Sequence, residues 1–177
     1  MFVYVAELNH NKNQRQFLQA FHDAFSSEKR SVKAWIVGDG SMRDEMETFA
    51  LRLGIDNKVS FLGRRKDVPA ILRGADVGVL LSFREGLPRC LMEMCATGLP
   101  VIATDIRGNR DIVRNELNGI LVEPGNVKAT ASALRQLAME PNTRESMGAQ
   151  GRERVRVFSL DEVLPQMKDI YREWLRE

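Results

Sequence analysis

Along the chain, short runs of consecutive apolar residues alternate with longer stretches whose apolar positions recur every three or four residues. The runs are Phe2 to Ala6, Val32 to Val37, Val59 to Leu62, Val77 to Leu81, Pro100 to Ala103 and Ile120 to Val122. They are nearly continuous and rich in β-branched side chains, as strands buried on both faces of a parallel sheet require. Helical patterns fill the intervals at about 12–27, 41–53, 67–74, 88–97, 108–115 and 126–139. This alternation predicts an α/β fold: a doubly wound parallel six-stranded sheet with helices on both faces. From 141 to 177 no strand pattern appears, and the segment reads as a helical tail. Asn142 or Thr143 is expected to cap a helix reaching Val157. Ser159-Leu160-Asp161-Glu162 has the form of a capping box and opens a last helix. That helix carries Val163, Met167, Ile170, Tyr171 and Trp174 as an apolar stripe.

In open α/β sheets, ligands sit beyond the carboxyl ends of the strands. The expected strand ends are rich in glycine and charge: Glu7-Leu8-Asn9, Gly38-Asp39-Gly40, Gly63-Arg64-Arg65-Lys66, Ser82 to Gly86 and Thr104 to Gly108. Gly38-Asp39-Gly40-Ser41-Met42-Arg43 invites comparison with a dinucleotide fingerprint. Arg43 stands where the third glycine belongs, however, and no acidic residue clearly ends the next strand. Two readings stay open: a tight turn with Ser41 as N-cap, and a turn that also lines a nucleotide site.

The segment Ser82-Phe83-Arg84-Glu85-Gly86-Leu87-Pro88-Arg89-Cys90-Leu91-Met92-Glu93 carries the strongest local signal. Pro88 suits the first turn of a helix, which leaves Gly86 and Leu87 at its mouth. Free amides and the positive end of the helix dipole suit a phosphate or diphosphate there. Glu93 lies within one of the most apolar helices of the chain. A carboxylate in such surroundings calls for a partner: an ion pair with Arg89 one turn back, or the hydroxyls of a sugar. Glu85, just before the helix, is either solvated charge or part of the same site.

These residues also fit a family pattern. Glu85 and Glu93 form E-x(7)-E within S-x-x-E-G-L-P-x-x-x-M-E, followed by A-x-G-x-P-V-I-A-T. Before it come V-x-E-L-N-x-N-K-N-Q, I-V-G-D-G, V-S-F-L-G-R-R-x-D-V-P and A-D-V-G-V-L-L-S; after it come Asp105 to Asp111 and Asn118 to Val122. In this order and spacing the chain resembles the C-terminal, donor-binding domain of retaining glycosyltransferases of the GT-B fold, family four, in their bacterial exopolysaccharide and capsule branch. The resemblance covers nearly the whole chain. It implies one Rossmann-like half of a GT-B fold, spanning 1–177 as a single nucleotide-sugar-binding domain. It also implies that an N-terminal acceptor domain lies outside this sequence. A strand beginning directly after Met1 fits a domain cut from a longer chain. In this fold the last helix packs back on the N-terminal domain, so its stripe is expected to lack a partner here.

By the same resemblance, Glu85 binds hydroxyls of the transferred sugar and Glu93 those of the ribose. Amides around Gly86 and Leu87 meet the diphosphate and sugar, Lys12 neutralises the diphosphate, and Gly63 and Arg64 bracket the base. Gly38 belongs to the turn lining the nucleotide. The implied donor is a nucleotide-sugar, expected to be a UDP-sugar, with no cofactor and no metal. The implied acceptor is a glycan or a lipid-linked glycan. The chain departs from the pattern at Glu7, where many relatives carry an arginine that grips the diphosphate. Either another cation substitutes, or Glu7 points elsewhere.

Composition narrows the remaining classes. With 26 Lys+Arg against 24 Asp+Glu the formal net charge is +2, and the basic residues are dispersed, which argues against a nucleic-acid surface. Arg64-Arg65-Lys66 and Arg152, Arg154 and Arg156 are the basic clusters. The second is expected to be solvated, with weak contact to anionic lipid as the alternative. No apolar stretch is long enough to span a bilayer, so a cytoplasmic protein, in its full-length form at the inner face of the membrane, is expected. Cys90 and Cys95 are read as buried hydrophobes rather than a disulfide or metal site. The absence of a D-x-D pair disfavours the metal-dependent glycosyltransferase fold. Two alternatives to a transferase remain: half of a nucleotide-sugar epimerase, and a non-catalytic nucleotide-sugar-binding module.

Overall fold

The computed structural model describes residues 1–28 and 31–175; the last two positions of the expected 141–177 tail lie outside them. Six strands form one sheet: β1 (Phe2–Val5), β2 (Ala34–Val37), β3 (Val59–Gly63), β4 (Val77–Leu80), β5 (Val101–Thr104) and β6 (Gly119–Val122). The order is β3-β2-β1-β4-β5-β6, and every neighbouring pair is parallel. The sheet therefore winds outward in both directions from β1, and its topological switch point lies between β1 and β4. Every residue of β4 and β5 is buried, as expected of central strands covered on both faces.

The helices are α1 (Gln14–Phe25), α2 (Arg43–Arg52), α3 (Val68–Arg73), α4 (Arg89–Thr97), α5 (Arg107–Ile112), α6 (Val127–Met139), α7 (Pro141–Arg154) and α8 (Leu160–Trp174). Helix α1 packs against α6 and α2, whereas α4 packs against α3, α5 and α7. On the α1 side Phe17, Phe21 and Phe25 are buried at helical spacing and meet Phe2 and Tyr4 of β1 edge-on or tilted, with centroids 5.5–6.2 Å apart. This aromatic ridge anchors the strand whose carboxyl end leads into the site.

Local cap readings fare less well than the strands. Helix α2 starts at Arg43 with Met42 as its cap rather than Ser41; the Arg43 amide, which a Ser41 cap would accept from, donates instead to the Gly40 carbonyl at 3.1 Å. Helix α7 starts at Pro141, not after Asn142 or Thr143; proline's fixed φ and missing N–H suit the first helical position. It ends at Arg154, and 155–158 continue as a 3-10 turn. Ser159 does sit at the cap of α8, but its side chain makes no cap bond, so the box is not closed.

The arginines of α7 are also not a simple solvated face. The Arg152 guanidinium donates to the Thr97 carbonyl at 3.2 Å, and that of Arg154 to Ile112 and Asp111 at 2.8 and 3.1 Å. Both cap helix carboxyl ends, where orphan carbonyls and the dipole favour a cation. Arg156 alone behaves as expected, exposed and paired with Glu153. Helix α8 buries none of its residues, and Leu164, Met167, Ile170, Tyr171 and Trp174 are exposed. Among the described residues no helix is long and apolar enough to cross a membrane.

Candidate functional site

The carboxyl ends of β1 and β4 diverge at the switch point and open a cleft of about 470 Å³. Lys12, Gly38, Arg64, Glu85, Leu87 and Glu93, all singled out from the sequence, line it. So do Glu7, Arg65, Arg89 and Cys90. The elements that bring them together are the loop after β1, the turns after β2 and β3, the loop after β4 and the start of α4.

The turn after β2 is glycine for reasons of space. A Cβ on Gly38 would lie 1.9 Å from the Ala6 carbonyl oxygen, and one on Gly40 2.3 Å from that of Leu8. The loop leaving β1 can therefore lie directly on the turn, through Ala6 N–H to Val37 O at 3.0 Å and Leu8 N–H to Asp39 O at 3.1 Å. Gly38, at φ +136, donates its own amide to Gly63 O at 2.9 Å. Gly63 is thus buried behind the cleft wall, with one carbonyl lone pair already used, while Arg64 beside it reaches the lining.

Lys12 ends a 3-10 turn, His10–Lys12, before α1. Glu85 lies in the loop between β4 and α4. Their side chains meet at 2.5 Å, with 21% and 11% of their surfaces exposed. A half-buried pair of this kind is far less screened than a surface bridge. The ammonium still has two further N–H donors, and the carboxylate has free lone pairs, so the pair can hold a ligand without being broken. The solvated-charge reading of Glu85 does not hold: the side chain is largely shielded and paired.

Glu93 lies one turn into α4. Leu91, Met94 and Cys95 of that helix are buried, whereas Glu93 faces the cleft, 41% exposed, and accepts from Arg89 Nε at 2.8 Å. The ion pair with Arg89 is therefore formed, and an exposed pair spaced i,i+4, worth only about 0.3–0.5 kcal/mol, leaves the carboxylate able to exchange it for another partner.

Pro88 is the N-cap of α4, which places Gly86 and Leu87 immediately before its free amides. Leu87 lines the cleft; Gly86 is exposed at its edge. The loop is held from below: Thr104 Oγ1 donates to Ser82 O at 2.6 Å, and Asn109 Nδ2 to Thr104 O at 2.9 Å. A Cβ on Gly108 would lie 2.3 Å from Gly86 O, so α5 can approach only because that residue is glycine.

The Glu7 backbone is fixed by Gln14, whose amide donates to the Glu7 carbonyl at 2.8 Å. Glu7 lines the cleft together with three arginines, 64, 65 and 89. Arg65 is engaged by Asp67 at 2.7 Å. Cys90 lines the same cleft. Burial, and next the charge of Glu85, push its thiol up to about 11. Nothing in the residue pattern shows that Cys90 lines the cleft or that Tyr4, inside β1, bonds to its loops. Among the described residues no group of three or more His, Cys, Asp or Glu could hold a metal ion.

Residues 1–154 match the family model of glycosyl transferases group 1. The chain is 38% identical over 172 residues to a putative glycosyltransferase, EpsD, of Bacillus subtilis, covering 97% of this chain and 45% of that protein. It is 32% identical over 144 residues to the UDP-Gal:alpha-D-GlcNAc-diphosphoundecaprenol alpha-1,3-galactosyltransferase of Escherichia coli, covering 77% and 35%. The fold superposes on the pneumococcal O-GlcNAc transferase GtfA, solved with UDP and GlcNAc, with a TM-score of 0.91 at 23% identity, over 99% of this chain and 36% of that one. The chain thus spans less than half the length of these relatives. With its six-stranded doubly wound sheet, and with a cleft at the switch point that gathers the E-x(7)-E carboxylates and Lys12, the chain belongs to the glycosyl transferases group 1 family, as the C-terminal domain of a GT-B glycosyltransferase.

Proposed function

We propose that this chain is the donor-binding half of a retaining hexosyltransferase that moves a sugar from a UDP-sugar to a glycan or lipid-linked acceptor. The observation that carries this reading is the Lys12–Glu85 pair, held at 2.5 Å in the cleft at the mouth of α4, with Glu93 on the same wall. The Escherichia coli relative is named for UDP-Gal as donor and a diphosphoundecaprenol-linked GlcNAc as acceptor, which supports the same classes of substrate here.

In this reading Glu93 exchanges Arg89 for the ribose hydroxyls. The diphosphate lies between Lys12 and the amides of Gly86 and Leu87, and the base lies toward Arg64. Negative charge grows on the departing diphosphate as the anomeric bond breaks. Preorganised donors aimed at that charge lower the barrier: the Lys12 ammonium, and the free amides and dipole at the start of α4. Glu85 accepts from the sugar hydroxyls and fixes the ring for attack. The acceptor, and any base that activates it, come from a second domain across the cleft, so these 177 residues alone transfer no sugar. Charge neutralisation by side chains and amides leaves no step that requires a metal. The full-length enzyme works in the cytoplasm, at the inner face of the membrane where a lipid-linked acceptor is presented.

The test is steady-state transfer by a two-domain protein containing this chain, with the anomer of the product determined. Retention supports the reading. Inversion refutes the retaining mechanism. Interconversion of the sugar without transfer supports an epimerase, and binding without turnover a non-catalytic module.

A further inference from the structure

The loops that carry Lys12 and Glu85 leave adjacent strands, yet no ladder joins them: the β1–β4 register ends at Tyr4 opposite Val79. Side chains replace the ladder. The Tyr4 hydroxyl, wholly buried, accepts from the Leu81 amide at 2.7 Å and donates to the Lys12 carbonyl. Asn11 then does a strand residue's work with its side chain. Its Oδ1 accepts from the Arg84 amide at 3.1 Å and its Nδ2 donates to the Arg84 carbonyl at 3.0 Å, while its own carbonyl accepts from the Phe83 amide at 2.8 Å. Asn11 precedes Lys12, and Arg84 precedes Glu85. The clamp therefore joins the two backbones one residue before each member of the pair.

The flanking asparagines make the turn itself. Asn9 Oδ1 accepts from the Lys12 amide at 3.1 Å. Asn13 takes the left-handed conformation, φ 54 and ψ 42, which asparagine tolerates better than most residues. None of the three asparagines, nor Tyr4, lines the cleft. The asparagine-rich stretch around Lys12 thus shapes the turn that holds the lysine and does not line the cleft.

We propose that Asn11 and Tyr4 are positioning residues: together they set the register of the two loops and so hold the Lys12 ammonium against Glu85, where a donor diphosphate is to be bound. This rests on the donor-site reading above. A residue acting only through Lys12 should matter only while Lys12 is present, whereas a residue that merely supports the fold should matter equally in both backgrounds.

The experiment is calorimetric titration of UDP into this chain, as wild type, Asn11→Ala, Lys12→Ala and the double variant. Asn11→Ala is expected to weaken UDP about five- to tenfold, the scale of a lost clamp bond, and to cost nothing more once Lys12 is alanine. Asn11→Asp, which keeps the acceptor for the Arg84 amide but sets a carboxylate oxygen against the Arg84 carbonyl, should not recover the affinity. Tyr4→Phe, which removes only the hydroxyl, should show the same dependence on Lys12 and serves if Asn11→Ala does not fold. Unchanged affinity in Asn11→Ala, or an equal loss with and without Lys12, overturns the positioning role while leaving the donor site standing. A wild-type chain that binds no UDP overturns the donor-site reading itself, and this inference with it.

Discussion

Replacing Glu93 separates ligand recognition from folding, because its structural partner is weak. The Glu93 side chain is 41% exposed and pairs with Arg89, which is 87% exposed. Such a pair contributes about 0.3–0.5 kcal/mol, and alanine returns a few tenths of a kcal/mol in helix propensity. Glu93→Ala should therefore leave stability within about 0.5 kcal/mol of wild type. If the carboxylate accepts the ribose hydroxyls, losing those charge-assisted bonds costs about 1–3 kcal/mol of binding, roughly 5- to 150-fold in Kd. Arg89→Ala should leave UDP affinity unchanged or slightly tighter, since it frees Glu93. Titration calorimetry with UDP and urea unfolding of the three proteins measure both quantities. Unchanged affinity in Glu93→Ala refutes the ribose role. Equal weakening by Arg89→Ala would show that the ion pair, not the carboxylate alone, makes the contact.

Gly38→Ala should destabilise the chain by at least about 3 kcal/mol in urea unfolding, because its Cβ would lie 1.9 Å from Ala6 O. Gly54→Ala, at φ +66 with nothing within 4 Å, should cost only about 1–2 kcal/mol. Cys90, whose thiol lies at about 11 against an ordinary 9.0, should hold about a hundredfold less thiolate at pH 8 than an unperturbed cysteine. Its alkylation should be correspondingly slow, rise about tenfold per pH unit up to that value, and slow further when UDP fills the cleft; fast alkylation at pH 8 would contradict the burial. Chelation by EDTA should leave transfer by the two-domain enzyme unchanged; loss of transfer restored by magnesium would refute a diphosphate site made of side chains and amides alone.

The sheet was legible because its central strands are buried on both faces. Val77 to Leu80 reads as one unbroken apolar run for that reason, and the structure places all of it in the core. Caps were less legible because they depend on the backbone path of the turn: the Gly40 carbonyl takes the Arg43 amide that a Ser41 cap would accept from. Arg152 and Arg154 looked solvated because the carbonyls they cap belong to residues 97, 111 and 112, brought near only by the fold. The candidate site was legible as a set of residues, Lys12, Glu85 and Glu93 among them, from the family pattern. Its internal wiring was not. Nothing in the spacing shows that Lys12 and Glu85, 73 positions apart, pair with each other, or that an ordinary core tyrosine in β1 ties their loops together.

Titration of this chain with UDP and with a panel of UDP-sugars, comparing wild type with Lys12→Ala and Glu85→Gln, tests the donor site most directly. Wild type should bind, and Lys12→Ala should weaken every ligand. Glu85→Gln should weaken chiefly the ligands that carry the sugar. Absence of nucleotide binding, or a Glu85→Gln effect equal for UDP and all UDP-sugars, would refute a donor site built on Lys12 and Glu85.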